Sequence, residues 1–235
     1  MIRNETRSSR LVRLVMVILL GVTPLLSGCV TATMHREKGQ AAQARGDFSR
    51  AIEQYQAALE KNPADHRARF HLGEAYLAIG ENLKAQLAFE KVMAGRPADE
   101  LLVPRVLDKL AEAIYRQNRA DALYDMLESS VEAYPSSRSY LRQADYLVKL
   151  GDHDLAAVAY QKAGRFSEPG DATAYLRAAG FYDSIGDPAN TALNLRYAMY
   201  VDPDHPKIAP WFRKLGIVPG PTLPLQPPAL TNVTP

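Results

Sequence analysis

The chain has 235 residues, 47% of them hydrophobic and 23% charged, a globular composition with room for one or two ordinary domains and enough apolar material to bury a core. Its 28 basic and 26 acidic residues give a formal charge of +2, but Arg3, Arg7, Arg10, Arg13 and Glu5 all precede Cys29; without them 24 basic residues face 25 acidic ones, which excludes the basic excess of a nucleic-acid binder. A single cysteine excludes an intramolecular disulfide, so stability must come from packing.

In chain order, Met1 to Arg13 is rich in arginine, and Leu14 to Leu26 is an uncharged apolar run interrupted by Gly21 and Pro24. A positive start before a short apolar run is the pattern of an export signal, and the run falls short of the about 20 residues that a membrane-spanning helix needs. It ends in Leu26-Ser27-Gly28-Cys29. This resembles the lipobox of bacterial lipoproteins, in which small residues fit the signal peptidase and the cysteine thiol receives a diacylglyceryl group. The resemblance implies that residues 1–28 are a cleaved signal peptide and that Cys29 becomes the first mature residue, with an acyl chain on its amine as well. No other cofactor is expected. Several acyl chains anchor firmly, because each buried methylene contributes about 0.8 kcal/mol. Val30 follows the cysteine; in lipoproteins of Gram-negative bacteria a residue other than Asp there generally permits transfer to the outer membrane. The expected location is the periplasmic side of the outer membrane, with the inner membrane or a Gram-positive cell membrane as alternatives. Residues 29–33 form the tether, of which Val30 to Thr33 spans roughly 10 to 15 Å if extended.

From Ala32 onward the sequence repeats with a period near 34 residues. Gly39, Gly46, Ala51, Tyr55, Ala58 and Pro63 fall against Gly73, Gly80, Ala85, Phe89, Val92 and Pro97. Each matched position has a physical task. Gly39 and Gly73 let two helices approach closely, Gly46 and Gly80 end the first helix, Tyr55 and Phe89 fill the space between hairpins, and the prolines stop the second helix. A fourth unit starting near Ser137 supplies Ala144, Gly151, Ala156, Tyr160 and Ala163; a fifth supplies Ala179, Tyr182, Gly186, Ala198 and Pro203. The third is degenerate: Ala111, Ile114, Leu123, Leu127, Ser130 and Pro135 keep the apolar pattern, but Asn118 replaces the turn glycine. The turn positions Gly46, Gly80, Asn118, Gly151 and Gly186 are 34, 38, 33 and 35 residues apart, which places an insertion of about four residues around Glu100 to Val103.

Small residues, an aromatic and a proline in this phase resemble the tetratricopeptide repeat. The resemblance implies an all-α fold: a right-handed superhelical solenoid of about five helix hairpins over residues 34–204. Pro206 to Leu215, with Trp211, Phe212 and Leu215 on one side, reads as a helix over 205–215 that caps the stack, as solenoids require. Residues 216–235 carry Pro219, Pro221, Pro224, Pro227, Pro228 and Pro235 and read as an extended or disordered tail. Pro221-Thr222-Leu223-Pro224 and Pro224-Leu225-Gln226-Pro227 have the spacing of polyproline ligands, though a spacer is the plainer reading.

The chain shows no sign of catalytic chemistry, and no enzyme activity, metal or small-molecule substrate is expected. His35, His66, His71, His153 and His205 form no helical metal pair. There is no glycine-rich phosphate loop and no nucleophile elbow. Asp152 with Asp154, and Asp202 with Asp204, sit at predicted helix ends, where carboxylates cap amides.

In tetratricopeptide proteins the first helices of the hairpins line a concave surface that receives a peptide or a helix of another protein. Carried over position by position, that groove holds Arg67, Phe70, Glu74 and Leu77, then Arg105, Asp108, Glu112 and Tyr115, then Arg138, Leu141, Asp145 and Val148. Arg67, Arg105 and Arg138 share one repeat position and form either a basic ladder or three solvated side chains. Members that clamp chaperone tails use asparagine where this chain has Glu74, Glu112 and Asp145, which argues against that activity. In plan the chain resembles outer-membrane pilotins and adaptor lipoproteins. The expected function is a membrane-anchored, periplasm-facing scaffold for protein–protein interactions in assembly of a cell-envelope complex, with pilus or secretion machinery as one candidate. The alternative is an adaptor that recruits periplasmic peptidases or peptidoglycan enzymes. Expected partners are envelope proteins or peptide segments in the groove and the membrane through the lipid.

Overall fold

A computed structural model describes residues 31–228. The expected signal peptide, Cys29 and Val30 lie outside the described residues, as do residues 229–235. All regular structure in the described residues is helical. Helix α1 covers residues 31–44. It is followed by α2 (Phe48–Lys61), α3 (His66–Ala78), α4 (Asn82–Ala94) and α5 (Leu102–Tyr115), and then by α6 (Ala120–Ala133), α7 (Ser137–Leu150), α8 (His153–Arg165), α9 (Thr173–Ser184), α10 (Pro188–Val201) and α11 (Ile208–Lys214). None of these is long and apolar enough to cross a membrane. Residues 31–33, expected in the tether, are already helical, and Ala32 is buried.

The chain divides into two compact units between Gln117 and Asn118. The first holds the hairpins α1–α2 and α3–α4, followed by α5 packed on α4. The second holds α6, the hairpins α7–α8 and α9–α10, and α11.

One short sequence device makes most of the hairpins. Gly46, Gly80, Gly151 and Gly186 all have φ between 75° and 82°. At each, the N–H of the next residue reaches back to a carbonyl five positions earlier: Asp47 to Ala42, Glu81 to Tyr76, Asp152 to Leu147 and Asp187 to Tyr182, at 2.9–3.0 Å. This closes the helix on a left-handed residue and satisfies a carbonyl that would otherwise lack a partner. Three of those following residues also start the next helix. Asp47, Asp152 and Asp187 accept hydrogen bonds from the N–H groups of Arg50, Leu155 and Asn190. Such a cap is worth about 1 kcal/mol. Asp202 does not repeat this role. It ends α10, donating its N–H to the Ala198 carbonyl of the same helix, and the next helix begins only at Ile208.

Packing follows the small-residue and aromatic pattern. Tyr55 and Phe89 are fully buried. Ala42, Ala51, Tyr55, Leu72 and Ala75 form one cluster of the first unit. In the second unit Leu141, Ala144, Ala156, Tyr160, Ala163, Ala174, Ala178 and Phe181 form another. The last cluster joins Ala179, Leu195 and Ala198 to Ile208 and Phe212 of α11, with Trp211 and Leu215 partly buried against it. Gly216, at φ 73°, then repeats the helix-ending turn, and Ile217 donates to the Phe212 carbonyl at 2.9 Å.

Beyond Gly216 the tail, expected to be extended or disordered, is non-helical through residue 228 and lies against α10. Arg196 of α10 holds the tail twice. Its Nε donates to the Leu223 carbonyl at 2.8 Å, and its own carbonyl accepts the Leu225 N–H at 3.2 Å. Leu223, Pro224, Leu225 and Pro227 are half-buried. Prolines lower the conformational entropy that an extended segment loses on docking, so a proline-rich composition does not by itself prevent ordering.

Candidate protein-binding surface

In the first unit the expected groove positions lie on α3 and α5. Arg67 is largely exposed and pairs with Asp99 in the α4–α5 loop at 2.8 Å. The same ion pair holds the Asp99 carboxyl below its usual range, chiefly through the Arg67 hydrogen bond. The guanidinium of Arg105 lies over the Phe70 ring, 4.7 Å from its centre. Glu74 is bound to the His71 ring at 2.9 Å. Glu112 sits between Lys109, at 2.8 Å, and Arg116. Burial pushes the Glu112 carboxyl up, but these two cations outweigh it and hold it below its ordinary value. Asp108 and Tyr115 are half-buried on the same helix.

In the second unit the expected positions lie on α7. Asp145 accepts from the Tyr160 hydroxyl at 3.1 Å and from Arg177 of α9. Val148 packs against the hydrophobic cluster, and Arg138 is exposed.

Three of the twelve expected groove residues are core. Phe70, Leu77 and Leu141 are 1%, 4% and 6% exposed, so they shape the helix faces from beneath and do not offer side chains to a partner. The period that marks the first helices also runs through their inward faces, and spacing alone does not separate the two. Nor do Arg67 and Arg105 stand as bare charges in a ladder, since one neutralises Asp99 and the other lies on an aromatic ring. What α3 and α5 present is a mixed surface of paired charges.

Two features were not visible in the sequence. Arg36 of α1 donates to Asp65 at 2.6 Å, and Asp65 is nearly buried while also capping α3 through the Ala68 N–H. The Arg177–Asp145 pair likewise joins residues 32 positions apart. Either pair has a signal only once the hairpins are stacked: an arginine on one first helix about one repeat from an aspartate. Among the described residues no group of three or more His, Cys, Asp or Glu side chains is placed to hold a metal.

Tetratricopeptide-repeat models match residues 36–100 and 137–163. Among solved structures the chain is similar to MamA, at 21% identity and a TM-score of 0.55 over 81% of this chain and 98% of that one. It is similar to PilW, described as a widely conserved type IV pilus biogenesis factor, at 16% identity and a TM-score of 0.52 over 72% and 76%. It is also similar to the C-terminal part of a repeat protein from Cytophaga hutchinsonii, at 22% identity and a TM-score of 0.56 over 76% and 72%. At such identities the likeness is one of fold. No curated protein matches the chain.

Proposed function

Taking as premise that the chain is built of tetratricopeptide repeats, we propose that it is a lipid-anchored scaffold of the bacterial cell envelope, held at Cys29 and binding other proteins through its helical hairpins. The repeats support the scaffold part of this reading, because stacked hairpins present long surfaces to partners and carry no catalytic constellation of their own. The observation that carries the anchoring part is Leu26-Ser27-Gly28-Cys29 behind an arginine-rich start and a short apolar run, with the chain's single cysteine at the lipidation position. Helix α1 includes residue 31, so a lipid on Cys29 would leave a spacer of one residue before the described helix and keep the first hairpin against the membrane surface. The similarity in fold to PilW makes pilus or secretion machinery the first assembly to examine.

Membrane fractionation of wild type and Cys29→Ala tests the anchor. The expected result is wild type in the membrane fraction, with mass spectrometry showing acyl groups on an N-terminal Cys29, and the variant released or retained as precursor. An unmodified Cys29, or equal membrane binding of a variant whose first 28 residues have been removed, overturns the anchor. Crosslinking in the envelope followed by identification of captured chains tests the scaffold, and recovery of the monomer alone counts against it.

A further inference from the structure

In the second unit a cleft of about 230 Å³ lies between the second helices α8 and α10 and the first helix α9. It is separate from the first-helix positions considered above. Its walls are aromatic and amide-bearing: Tyr175 and Tyr182 from α9, Leu193, Asn194 and Tyr197 from α10, and Arg165 at the end of α8. Gly164 seats the Tyr175 wall. A Cβ there would stand 2.7 Å from the Tyr175 ring, so the absent side chain lets that ring lie against α8, where its hydroxyl donates to the Gly164 carbonyl at 2.9 Å. Tyr175 and Tyr197 meet edge to face with centres 5.7 Å apart. The Nε of Arg165 is buried and has no hydrogen-bond partner.

The chain's own tail reaches this cleft. Arg196 fixes Leu223 and Leu225 from α10, and Pro228 forms part of the cleft wall. Tyrosine faces beside amide side chains suit a proline-rich extended segment, whose rings stack on aromatics and whose carbonyls have no partners in their own backbone.

We propose that this cleft is a docking site for an extended, proline-rich segment of a partner protein, and that Leu223–Pro228 holds its mouth as a competing ligand in cis. The proposal adds the chemistry of one partner to the scaffold reading but does not depend on lipidation, because the site lies wholly in the second unit.

The test uses the full mature chain with Cys29→Ser in two forms: one with its natural tail, and one carrying Leu223→Ser, Pro224→Ser, Pro227→Ser and Pro228→Ser. Each is titrated with a capped peptide of the sequence Pro221 to Pro228, and the tyrosine ring signals are followed by NMR. The serine-substituted tail variant should bind the peptide with shifts at Tyr175 and Tyr197. A tethered segment acts at an effective concentration on the order of millimolar, so the natural tail should weaken that binding by about tenfold. A peptide with all prolines changed to serine should not bind. Leu193→Asp and Asn194→Leu, each with an unchanged circular dichroism melt, should abolish binding. The proposal is overturned by no binding to the tail variant at about 1 mM peptide, by equal binding to both forms, by equal binding of the serine peptide, or by cleft variants that bind as before. Failure at the membrane with success here would remove the anchor and keep the cleft; the reverse would do the opposite.

Discussion

The ring of Tyr55 occupies the space that a side chain on Gly39 would need: a Cβ built on Gly39 stands 2.6 Å from the Tyr55 Cε1. The next repeat copies the relationship, with Gly73 and Phe89 at 2.5 Å. Both rings are fully buried, so neither can swing away. Gly39→Ala and Gly73→Ala should each destabilise the first unit by about 1–3 kcal/mol, the usual penalty for overpacking. Denaturant melts check this. Gly73→Ala combined with Phe89→Leu should lose less than the sum of the two single changes, and strict additivity would show that the contact is not what the glycine protects.

Asn118 stands at the repeat position where the hairpins have glycine and takes φ 54°, in the region that asparagine tolerates better than other side chains. Asn118→Gly should shift stability by no more than about 0.5 kcal/mol. Asn118→Val should cost about 1–2 kcal/mol, because a β-branched residue pays the full left-handed penalty. Gly151→Ala, at φ 82°, should also destabilise the protein. Thermal melts of the three variants distinguish conformational strain from side-chain contact; Asn118→Val as stable as wild type would remove the conformational account.

Asp65 has two duties that a single substitution pair can separate. Asp65→Asn keeps a capping oxygen for the Ala68 N–H but loses the charge opposite Arg36; Asp65→Ala loses both. The alanine variant should be less stable than the asparagine one by about 1 kcal/mol, the worth of the cap. Equal stability would mean that the ion pair alone matters.

Alkaline pH should destabilise the protein through its buried tyrosines. Burial, and then the Glu74 carboxylate, push the Tyr55 hydroxyl up to about 12. The unfolded chain loses this proton near pH 10 while the folded chain keeps it. Its contribution is therefore complete below about pH 10 and is lost as pH rises from about 10 toward 12, at up to about 1.4 kcal/mol per pH unit. Tyr160 moves in the same direction through burial and then Asp145. Denaturant midpoints followed between about pH 9 and about pH 11.5 should fall less steeply in Tyr55→Phe than in wild type. Identical slopes would show that Tyr55 titrates normally.

Much of the fold was legible because it is local chemistry repeated in phase. A glycine that closes one helix and an aspartate that opens the next are adjacent in sequence, and Gly46-Asp47, Gly151-Asp152 and Gly186-Asp187 behave in the structure as their residue types require. The Gly39–Tyr55 and Gly73–Phe89 pairings were not legible: the spacing put the rings between hairpins, and only the packing seats each ring over a glycine of its own hairpin, 16 residues earlier. The surface was less legible. Phe70, Leu77 and Leu141 share the first-helix period with solvent-facing neighbours, and only the packing of α3 and α7 shows that they point inward.

By itself, then, the sequence determined the helical hairpins and their turns, because backbone conformation at glycine, capping by aspartate and burial of aromatics act within one repeat. The tertiary structure alone decided which charges are neutralised, as in Arg36–Asp65 and Arg67–Asp99, and where the proline-rich tail lies, at Arg196 and the mouth of the α8–α10 cleft. Those outcomes depend on distances between residues about 27 to 32 positions apart, and side chains so separated meet only after the hairpins have stacked.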